Sequence, residues 1–368
     1  MPRVVIAGLG DTGLLTALHL ARHPDLEIVG ISSQPGLVSG QELGMRLARP
    51  EDWQRDYRRG FEKFKGLDRV TTVHAELVGL DPAQHRVRLR AADGTESDEP
   101  YDVLVIATGV RNGFWRTPTL RTDDEVTAGL AGAHHRVAAA ASVLVVGGGA
   151  AAVSSALQIA QRWPEKVVTL AFPGERALPS YHPRTWKQAQ KRLRAAGVHL
   201  HSGHRAVVPA DFSGAMTTGP VAWQTGQPQT DAEVVVWAIG KVVPNTAWLP
   251  ARMLDEGGFV RADLTLQTPG YPDIFTIGDV AATDPLRSSA RARADALLAA
   301  NIRAYVAGQP LKEFTPLRRR WGSVLGVEPD GLRVFAPNGR SFRFPRWSVR
   351  PLLQRWIVDR GIYRGVRR

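Results

Sequence analysis

Residues 3–13 read RVVIAGLGDTG, a short apolar strand that runs directly into a glycine-rich turn. A helical stretch follows at residues 14–22, and a second apolar strand, EIVGI, occupies residues 27–31. Strand, turn, helix and strand form a βαβ unit, and strands that are apolar on both faces are typical of a parallel sheet. Backbone amides in a G-x-G-x-x-G turn can bind a pyrophosphate at the positive end of the helix. We therefore predict a dinucleotide site in this turn, at Gly8, Gly10, Asp11, Thr12 and Gly13.

The same plan recurs about 139 residues later, where residues 142–152 read SVLVVGGGAAA. A helix to residue 162 and a strand at residues 167–172 complete the second unit. Gly147, Gly149 and Ala152 take the three positions of the glycine pattern. Two copies, each after a strand and before a helix, predict an α/β protein with two Rossmann-like dinucleotide-binding domains.

The acidic residue that usually binds a ribose diol is missing from both units. The expected position holds Ser32 in the first unit and Ala171 in the second. A serine hydroxyl can still make one hydrogen bond, so we expect the first ribose site to be weakened rather than lost. In the second unit, Glu175 would favour an unphosphorylated ribose and Arg176 a 2′-phosphate, whereas a solvated charged turn explains the pair equally well. The choice between NADH and NADPH stays open.

Composition excludes several kinds of chemistry. The 368 residues contain no Cys, which excludes disulfides, thiolate metal sites, iron–sulfur clusters and cysteine nucleophiles. The first strand starts by Val4, so we expect no signal peptide. The uncharged stretch Val137–Gln161 contains the second glycine turn, so strand and helix explain it better than a membrane span. We expect a cytoplasmic protein, attached peripherally to the membrane if its C-terminal segment binds lipid.

Five segments in this order resemble the FAD-dependent pyridine nucleotide–disulfide oxidoreductase superfamily. They are VVIAGLGDTG at 4–13, YDVLVIATG at 101–109, VLVVGGGAAA at 143–152, VVVWAIGKVVPNT at 234–246 and IFTIGDVAA at 274–282. Because Cys is absent, the chain looks most like the branch of type II NADH dehydrogenases, apoptosis-inducing factor and ferroptosis suppressors. That branch often carries Glu where this chain has Ser154, and glutamines on a later helix where this chain has Arg291 and Arg293.

The resemblance implies two nested domains and two cofactors. FAD would be bound by residues 1–115 and 243–310, NADH or NADPH by residues 116–242, and residues 311–368 would form a small basic C-terminal module. The resemblance places FAD at the first glycine turn and the nicotinamide dinucleotide at the second. It adds Thr108, Gly109, Arg46, Gly278 and Asp279 to the FAD site. A carboxylate at a strand end, as in Asp279, can accept hydrogen bonds from a polyol chain.

The implied function is transfer of electrons from NAD(P)H through FAD to a quinone-type acceptor. Two alternatives are a reductase of a small ferredoxin-like electron-transfer protein and a flavin-bearing binding protein without turnover. We expect no nucleic acid as partner, and the oligomeric state cannot be read from the sequence. No catalytic side chain is named, because the hydride chemistry belongs to the cofactors. Histidines at 134, 135, 199, 201 and 204 lack a carboxylate cluster, and we predict no metal site.

Most of the net charge of +12 lies near the C-terminus, since residues 312–368 carry 14 basic and 4 acidic residues. In this segment Val349, Leu352, Leu353, Trp356 and Ile357 have α-helical spacing. We expect a helix that ends at Gly361 and places this apolar stripe on an anionic membrane surface. The alternative is that the stripe packs on the protein itself.

Overall fold

The predicted βαβ unit opens the computed structural model, which describes residues 1–111, 118–209, 212, 216–240, 242–290 and 293–367. The strands are β1 Arg3–Ala7, β2 Glu27–Ser32, β3 Gly36–Val38, β4 Arg58–Gly60, β5 Val70–His74, β6 Glu76–Asp81, β7 Arg86–Arg90, β8 Glu96–Pro100, β9 Val103–Ile106, β10 Val110–Arg111, β11 Ser142–Val146, β12 Val167–Ala171, β13 His199–His201, β14 Val234–Trp237, β15 Val243–Pro244, β16 Val260–Arg261, β17 Gln267–Thr268, β18 Tyr271–Thr276, β19 Ala281–Ala282, β20 Val327–Glu328, β21 Gly331–Phe335 and β22 Ser341–Pro345. The helices are α1 Asp11–Leu20, α2 Leu43–Ala48, α3 Pro50–Tyr57, α4 Asp123–Ala139, α5 Ala150–Arg162, α6 Pro183–Ala195, α7 Ala294–Val306 and α8 Arg346–Ser348. A π-helix, Val349–Ile362, continues α8, and single 3₁₀ turns lie at Phe61–Lys63, Lys65–Leu67, Ala251–Met253, Gly278–Val280 and Ser288–Ala290.

The larger sheet has the strand order β17-β18-β9-β1-β2-β5. All neighbours run parallel except β17 and β18. Alternating apolar and polar residues at 70–73, 76–81 and 86–90 predict an antiparallel meander of three strands, and this prediction is wrong for residues 70–73. Val70 pairs with Ile28 of β2 in the parallel sheet, and the meander consists of β6, β7 and β8 instead. Alternation alone cannot say which sheet a strand joins.

The second sheet, β13-β12-β11-β14, is fully parallel and follows the same local plan. Its glycine turn leads from β11 into α5, as predicted. The two α/β units are therefore both present, which confirms the fold class. The predicted domain boundary at 115/116 lies outside the described residues, and the short pair β10–β15 lies near it, linking the chain before and after the second sheet.

The sequence after Asp279 predicts a helix from about residue 286 to residue 306, but the helix begins later, at Ala294. Arg287 and Arg293 both adopt left-handed backbone conformations, with φ of 48° and 56°, which a continuous α-helix does not allow. A 3₁₀ turn fills part of the gap. Arg291, noted in the sequence for its charge, lies outside the described residues.

The C-terminal helix differs from the expected amphipathic α-helix. It is a π-helix in which the amide of Tyr363 reaches back five residues to the carbonyl of Val358, and it runs through Gly361 to Ile362. Because a π-helix has a wider turn than an α-helix, the residues of the predicted stripe do not all lie on one face. Val349 and Leu353 pack inward, whereas Trp356 is 62% exposed. Within the described ranges, no helix is long and apolar enough to cross a membrane.

Candidate functional site

A cavity of about 390 Å³ opens where β1, β2, β9 and β18 end. The carboxyl ends of parallel strands meet at one edge of the sheet. The strand order reverses at β1, because β2 lies on one side of it and β9, which follows later in the chain, lies on the other. Such a crevice is the usual ligand site of a parallel α/β sheet. Nine of the residues predicted from the sequence line this cavity: Gly8, Gly10, Asp11, Thr12, Ser32, Thr108, Gly109, Gly278 and Asp279.

Each glycine of the first turn is needed for a different steric reason. Gly8 has φ of +105°, and a Cβ there would lie 2.6 Å from the carbonyl oxygen of Ala107. A Cβ on Gly13 would lie 1.9 Å from the carbonyl oxygen of Gly8, so only glycine lets α1 approach β1 this closely. A Cβ on Gly10 would meet no atom within 4 Å. This open space beside the start of α1, which has no side-chain cap, fits the approach of a pyrophosphate.

Ser32 is buried at the end of β2, and its hydroxyl is already engaged. It donates to the carbonyl oxygen of Gln34 at 2.9 Å and accepts from the amide of Gln34 at 3.0 Å. Ser32 therefore shapes the turn at the rim of the cavity. Gln34 also lines the cavity, although its place in the sequence gave no signal.

Asp11 lines the cavity, but its carboxylate serves the adjacent loop. Its two oxygens accept hydrogen bonds from the Ser39 hydroxyl at 2.6 Å and from the Gly40 amide at 2.7 Å. Hydrogen bonds to a carboxylate are the stronger kind. Asp11 thereby fixes the segment that leads into α2.

Thr108 and Asn245 join two distant parts of the chain at the cavity. The Thr108 hydroxyl donates to the Asn245 carbonyl at 2.8 Å, and the Asn245 amide group donates to the Thr108 carbonyl at 2.9 Å. Asn245 lines the cavity and was not predicted as a site residue. Its only signal was its place in the VVPNT segment, after a strand and a glycine.

Gly278 and Asp279 form a 3₁₀ turn after β18, opposite the first glycine turn. Gly278 has φ of +89° and faces the Thr12 side chain. The amide of Gly278 also donates a hydrogen bond to the Ser289 hydroxyl at 3.2 Å. This arrangement places Asp279 at the cavity wall.

The second glycine turn repeats the steric logic of the first. Gly147 has φ of +143°, and a Cβ there would lie 2.1 Å from the Ala238 carbonyl oxygen. Gly149 precedes α5 without a side-chain cap, and a Cβ there would meet nothing within 4 Å. Ala152 is fully buried against the core. Arg176 donates to carbonyl oxygens of its own loop, at Leu178 and Pro179.

Arg46 does not line the cavity. It is buried on α2, with its guanidinium 5.0 Å from the centre of the Trp53 ring. The histidines of the sequence are also apart from the cavity. His134 Nδ1 lies 2.7 Å from the Leu47 carbonyl oxygen, and the rings of His201 and His204 lie 5.0 Å apart.

The fold and this site define a dinucleotide-binding flavoprotein of two α/β units. The profile of the pyridine nucleotide-disulphide oxidoreductase family matches residues 2–297, and the chain belongs to this family. As a member of this family it is an FAD-dependent oxidoreductase with FAD and NAD(P)H as cofactors. The resemblance seen in the sequence is thus confirmed at the level of the superfamily.

Among curated proteins, the chain is 31% identical over 220 residues to the FAD-dependent oxidoreductase FVFD30 of Flammulina velutipes. That match covers 58% of this chain and 66% of the relative. Among solved structures, it resembles the sulfide:quinone oxidoreductase of Aquifex aeolicus, with a TM-score of 0.71, 15% identity and coverage of 99% and 92% of the two chains. It also resembles a ferredoxin reductase of Rhodopseudomonas palustris, with a TM-score of 0.67, 23% identity and coverage of 87% and 79%. These two likenesses concern the fold alone.

Proposed function

We propose that the protein transfers electrons from NAD(P)H to a quinone at a membrane surface. In this proposal FAD occupies the cavity at Gly8–Thr12 and Asp279, and the nicotinamide dinucleotide lies at Gly147, Gly149 and Ala152. The domain boundaries predicted from the sequence remain part of the proposal. FAD supplies the hydride-accepting chemistry, and the chain supplies binding and orientation.

The outer face of the C-terminal helix is the observation that carries the choice of acceptor. Three apolar side chains on this face lie five residues apart in the sequence, at Leu352, Ile357 and Ile362. They are exposed, and so are Trp356 and Trp347, the latter by 78%. We call these five residues the C-terminal patch.

A stripe of arginines accompanies the patch with the same five-residue period. Arg350, Arg355 and Arg360 are all exposed, and Arg360 lies 5.7 Å from the Trp356 ring centre. Arginine next to exposed tryptophan and aliphatic side chains suits the headgroup region of an anionic bilayer, where each arginine contributes about 1 kcal/mol. A membrane-bound acceptor such as a quinone fits this surface better than an acidic protein, because an acidic partner gains nothing from the aliphatic stripe.

A second cavity, of about 320 Å³, lies between α3 and the C-terminal helix. Its walls include the apolar side chains of Met45, Val327 and Val349. Gln354 is buried there and donates to the Tyr57 hydroxyl at 2.9 Å. Five charged side chains also line this cavity, at Asp52, Arg55, Asp56, Arg346 and Arg350, so it is a polar cavity, and the choice of a quinone rests on the C-terminal patch.

Anaerobic stopped-flow mixing with NADH and with NADPH tests the first half of the proposal, because either nucleotide should bleach the bound flavin. Steady-state turnover with a short-chain ubiquinone and with a ferredoxin then tests the acceptor. We expect quinone turnover to be the faster. Fast, strongly salt-dependent reduction of the ferredoxin with little quinone turnover would favour a reductase of an electron-transfer protein. Flavin that neither nucleotide bleaches would point to a binding protein.

Co-sedimentation with vesicles tests the surface. Vesicles that contain phosphatidylglycerol should bind the protein at low salt and release it at high salt. Leu352→Ser should weaken this binding. The matched control is Leu264→Ser, because Leu264 is 45% exposed and Leu352 is 44% exposed, but Leu264 lies outside the patch. Equal effects of both substitutions, or no binding by the unmodified protein, would contradict membrane docking.

A further inference from the structure

The cavity of about 320 Å³ between α3 and the C-terminal helix is lined by opposite charges on its two sides. Asp52 and Asp56 line it from α3, and Arg346 and Arg350 line it from α8 and the helix that continues it. Arg55, also on α3, forms ion pairs with both aspartates, at 2.8 Å to Asp52 and 3.0 Å to Asp56. The acidic groups on the α3 side are therefore already paired.

The two arginines on the opposite side have no such partner. Neither the Arg346 nor the Arg350 guanidinium forms an ion pair or a hydrogen bond with any residue that the structure describes. Burial lowers the pKa of the nearby Arg49, and the positive charge of Arg346 lowers it further. Since like charges repel, an anion bound beside these arginines would stabilise the folded protein. This side of the cavity therefore has the charge of an anion-binding site.

Gln354 and Tyr57 add hydrogen-bonding groups to the same cavity. Gln354 is 4% exposed, and its Nε2 donates to the Tyr57 hydroxyl oxygen at 2.9 Å. Its Oε1 is buried and has no hydrogen-bond partner in the described part of the chain, which is costly for an amide oxygen. Tyr57 accepts in this contact, and burial raises its pKa well above the usual value, so the phenol keeps a proton to donate. A ligand would therefore meet one acceptor and one donor beside the arginines.

We propose that this cavity binds the glycerophosphate headgroup of an anionic phospholipid. Arginine binds phosphate oxygens through paired N–H donors, so the phosphate lies at Arg346 and Arg350. The Tyr57 hydroxyl donates to a phosphate oxygen, and a glycerol hydroxyl donates to Gln354 Oε1. The inference rests on the membrane docking proposed above, and it adds a defined binding site to a surface.

The position of the cavity favours a lipid over a free phosphate ester as the occupant. Trp347, which is 78% exposed, follows Arg346 directly, and the exposed Leu352 lies two residues after Arg350. Both belong to the C-terminal patch. A lipid whose headgroup occupies the cavity would have its acyl chains next to this patch, whereas a free phosphate ester gains nothing from exposed apolar side chains.

A soluble headgroup tests the site without a membrane. Isothermal titration calorimetry at constant ionic strength should show that the full-length protein binds glycerophosphoglycerol, the deacylated form of phosphatidylglycerol, but not glycerol. Arg350→Gln should weaken this binding about tenfold, because a charge-assisted contact is lost. Arg355→Gln is the matched control, since Arg355 is exposed in the same arginine stripe but does not line the cavity. It should change the affinity less than about twofold, because its charge is screened by solvent.

A second ligand tests the contact with Gln354. Dimethyl phosphate has the same charge as glycerophosphoglycerol but no hydroxyl group. It should bind about fivefold more weakly, because it cannot donate to Gln354 Oε1. Equal affinity of the two ligands would overturn this contact.

Vesicles of phosphatidylglycerol distinguish a lipid headgroup from a free phosphate ester. Arg350→Gln and Arg355→Gln each remove one charge from the same surface, so each should lower vesicle binding about fivefold. Arg350→Gln should lower it about tenfold further, because it also removes the headgroup contact. Equal losses in the two variants, or no binding of glycerophosphoglycerol, would overturn the site and leave membrane docking in place. Binding of glycerophosphoglycerol without binding of vesicles would overturn the lipid as occupant, and membrane docking with it.

Discussion

Tyr363→Ala and Trp356→Ala together test the packing of the C-terminal helix. The two aromatic residues lie seven positions apart, and α-helical spacing assigns Trp356 to the same apolar stripe as Val349 and Leu353. In the structure, Tyr363 is only 6% exposed and Trp356 is 62% exposed. The Tyr363 ring meets the Phe64 ring edge-on, with centres 5.2 Å apart.

The magnitudes follow from burial. Removal of a buried aromatic ring costs about 3–5 kcal/mol, and this includes the loss of the edge-on ring pair. Trp356 loses little when truncated, because most of its surface already faces water and its contact with Arg360 is an exposed cation–π pair. We expect less than about 1 kcal/mol for Trp356→Ala.

Urea unfolding of both variants, followed by circular dichroism at one pH, measures the difference. Tyr363→Ala should lower the unfolding midpoint clearly, with an unchanged slope, and Trp356→Ala should leave it nearly unchanged. A larger loss for Trp356→Ala would refute the exposed position of Trp356 in the π-helix. Equal losses would mean that neither ring is placed as described.

Three further substitutions test the site. Ser32→Asp should tighten FAD binding by about 1 kcal/mol, or roughly fivefold, as measured by flavin fluorescence. One carboxylate oxygen can keep the hydrogen bond from the Gln34 amide while the other accepts from the ribose. Unchanged affinity would argue against a ribose at Ser32. Asp279→Ala should weaken FAD binding about tenfold while circular dichroism stays the same; insoluble protein with or without FAD would mean that Asp279 is a structural turn residue. Glu42→Gln should stabilise the protein above pH 7 but not near pH 4.5. Since burial raises the pKa of Glu42 from 4.5 to about 7, its stabilising contribution is lost as pH rises through that window, by about 3 kcal/mol. A difference in unfolding free energy between Glu42→Gln and the unmodified protein that does not change with pH would contradict this.

The parts of the fold that sequence reasoning found are those with local causes. Gly8 and Gly147 are needed for turns within a few residues of their own strands, and the apolar runs of β1 and β11 are buried on both faces. The C-terminal helix was predicted with a periodicity of 3.6, which groups Val349 and Leu353 with Trp356 on one face, whereas the first two pack inward and Trp356 is exposed. Nothing local in residues 349–362 shows that the hydrogen bonds reach back five residues.

The site was predictable only where a motif marks it. Asn245 lies 137 positions from its partner Thr108, and the contact exists because β9 and β15 end at the same cavity. Glu42 shows the limit more sharply. Burial raises its pKa, and Gly326, which lies beside its carboxylate, is distant in sequence, so no pattern around residue 42 could have indicated this shift.

The C-terminal segment has two structural attachments, and these decide how its function can be tested. Arg367 forms a paired contact with the Asp68 carboxylate, and Tyr363 is buried beside Phe64, so the end of the chain is fastened to the first α/β unit. Asp330, before β21, accepts from Arg192 of α6 at 2.9 Å, which fastens the same segment to the second unit. Truncation would therefore remove the contacts that join both units together with the C-terminal patch. If a truncated protein failed to bind membranes, the cause could be the missing patch or a changed arrangement of the two units. Substitutions within the C-terminal patch change only the surface and leave both attachments in place.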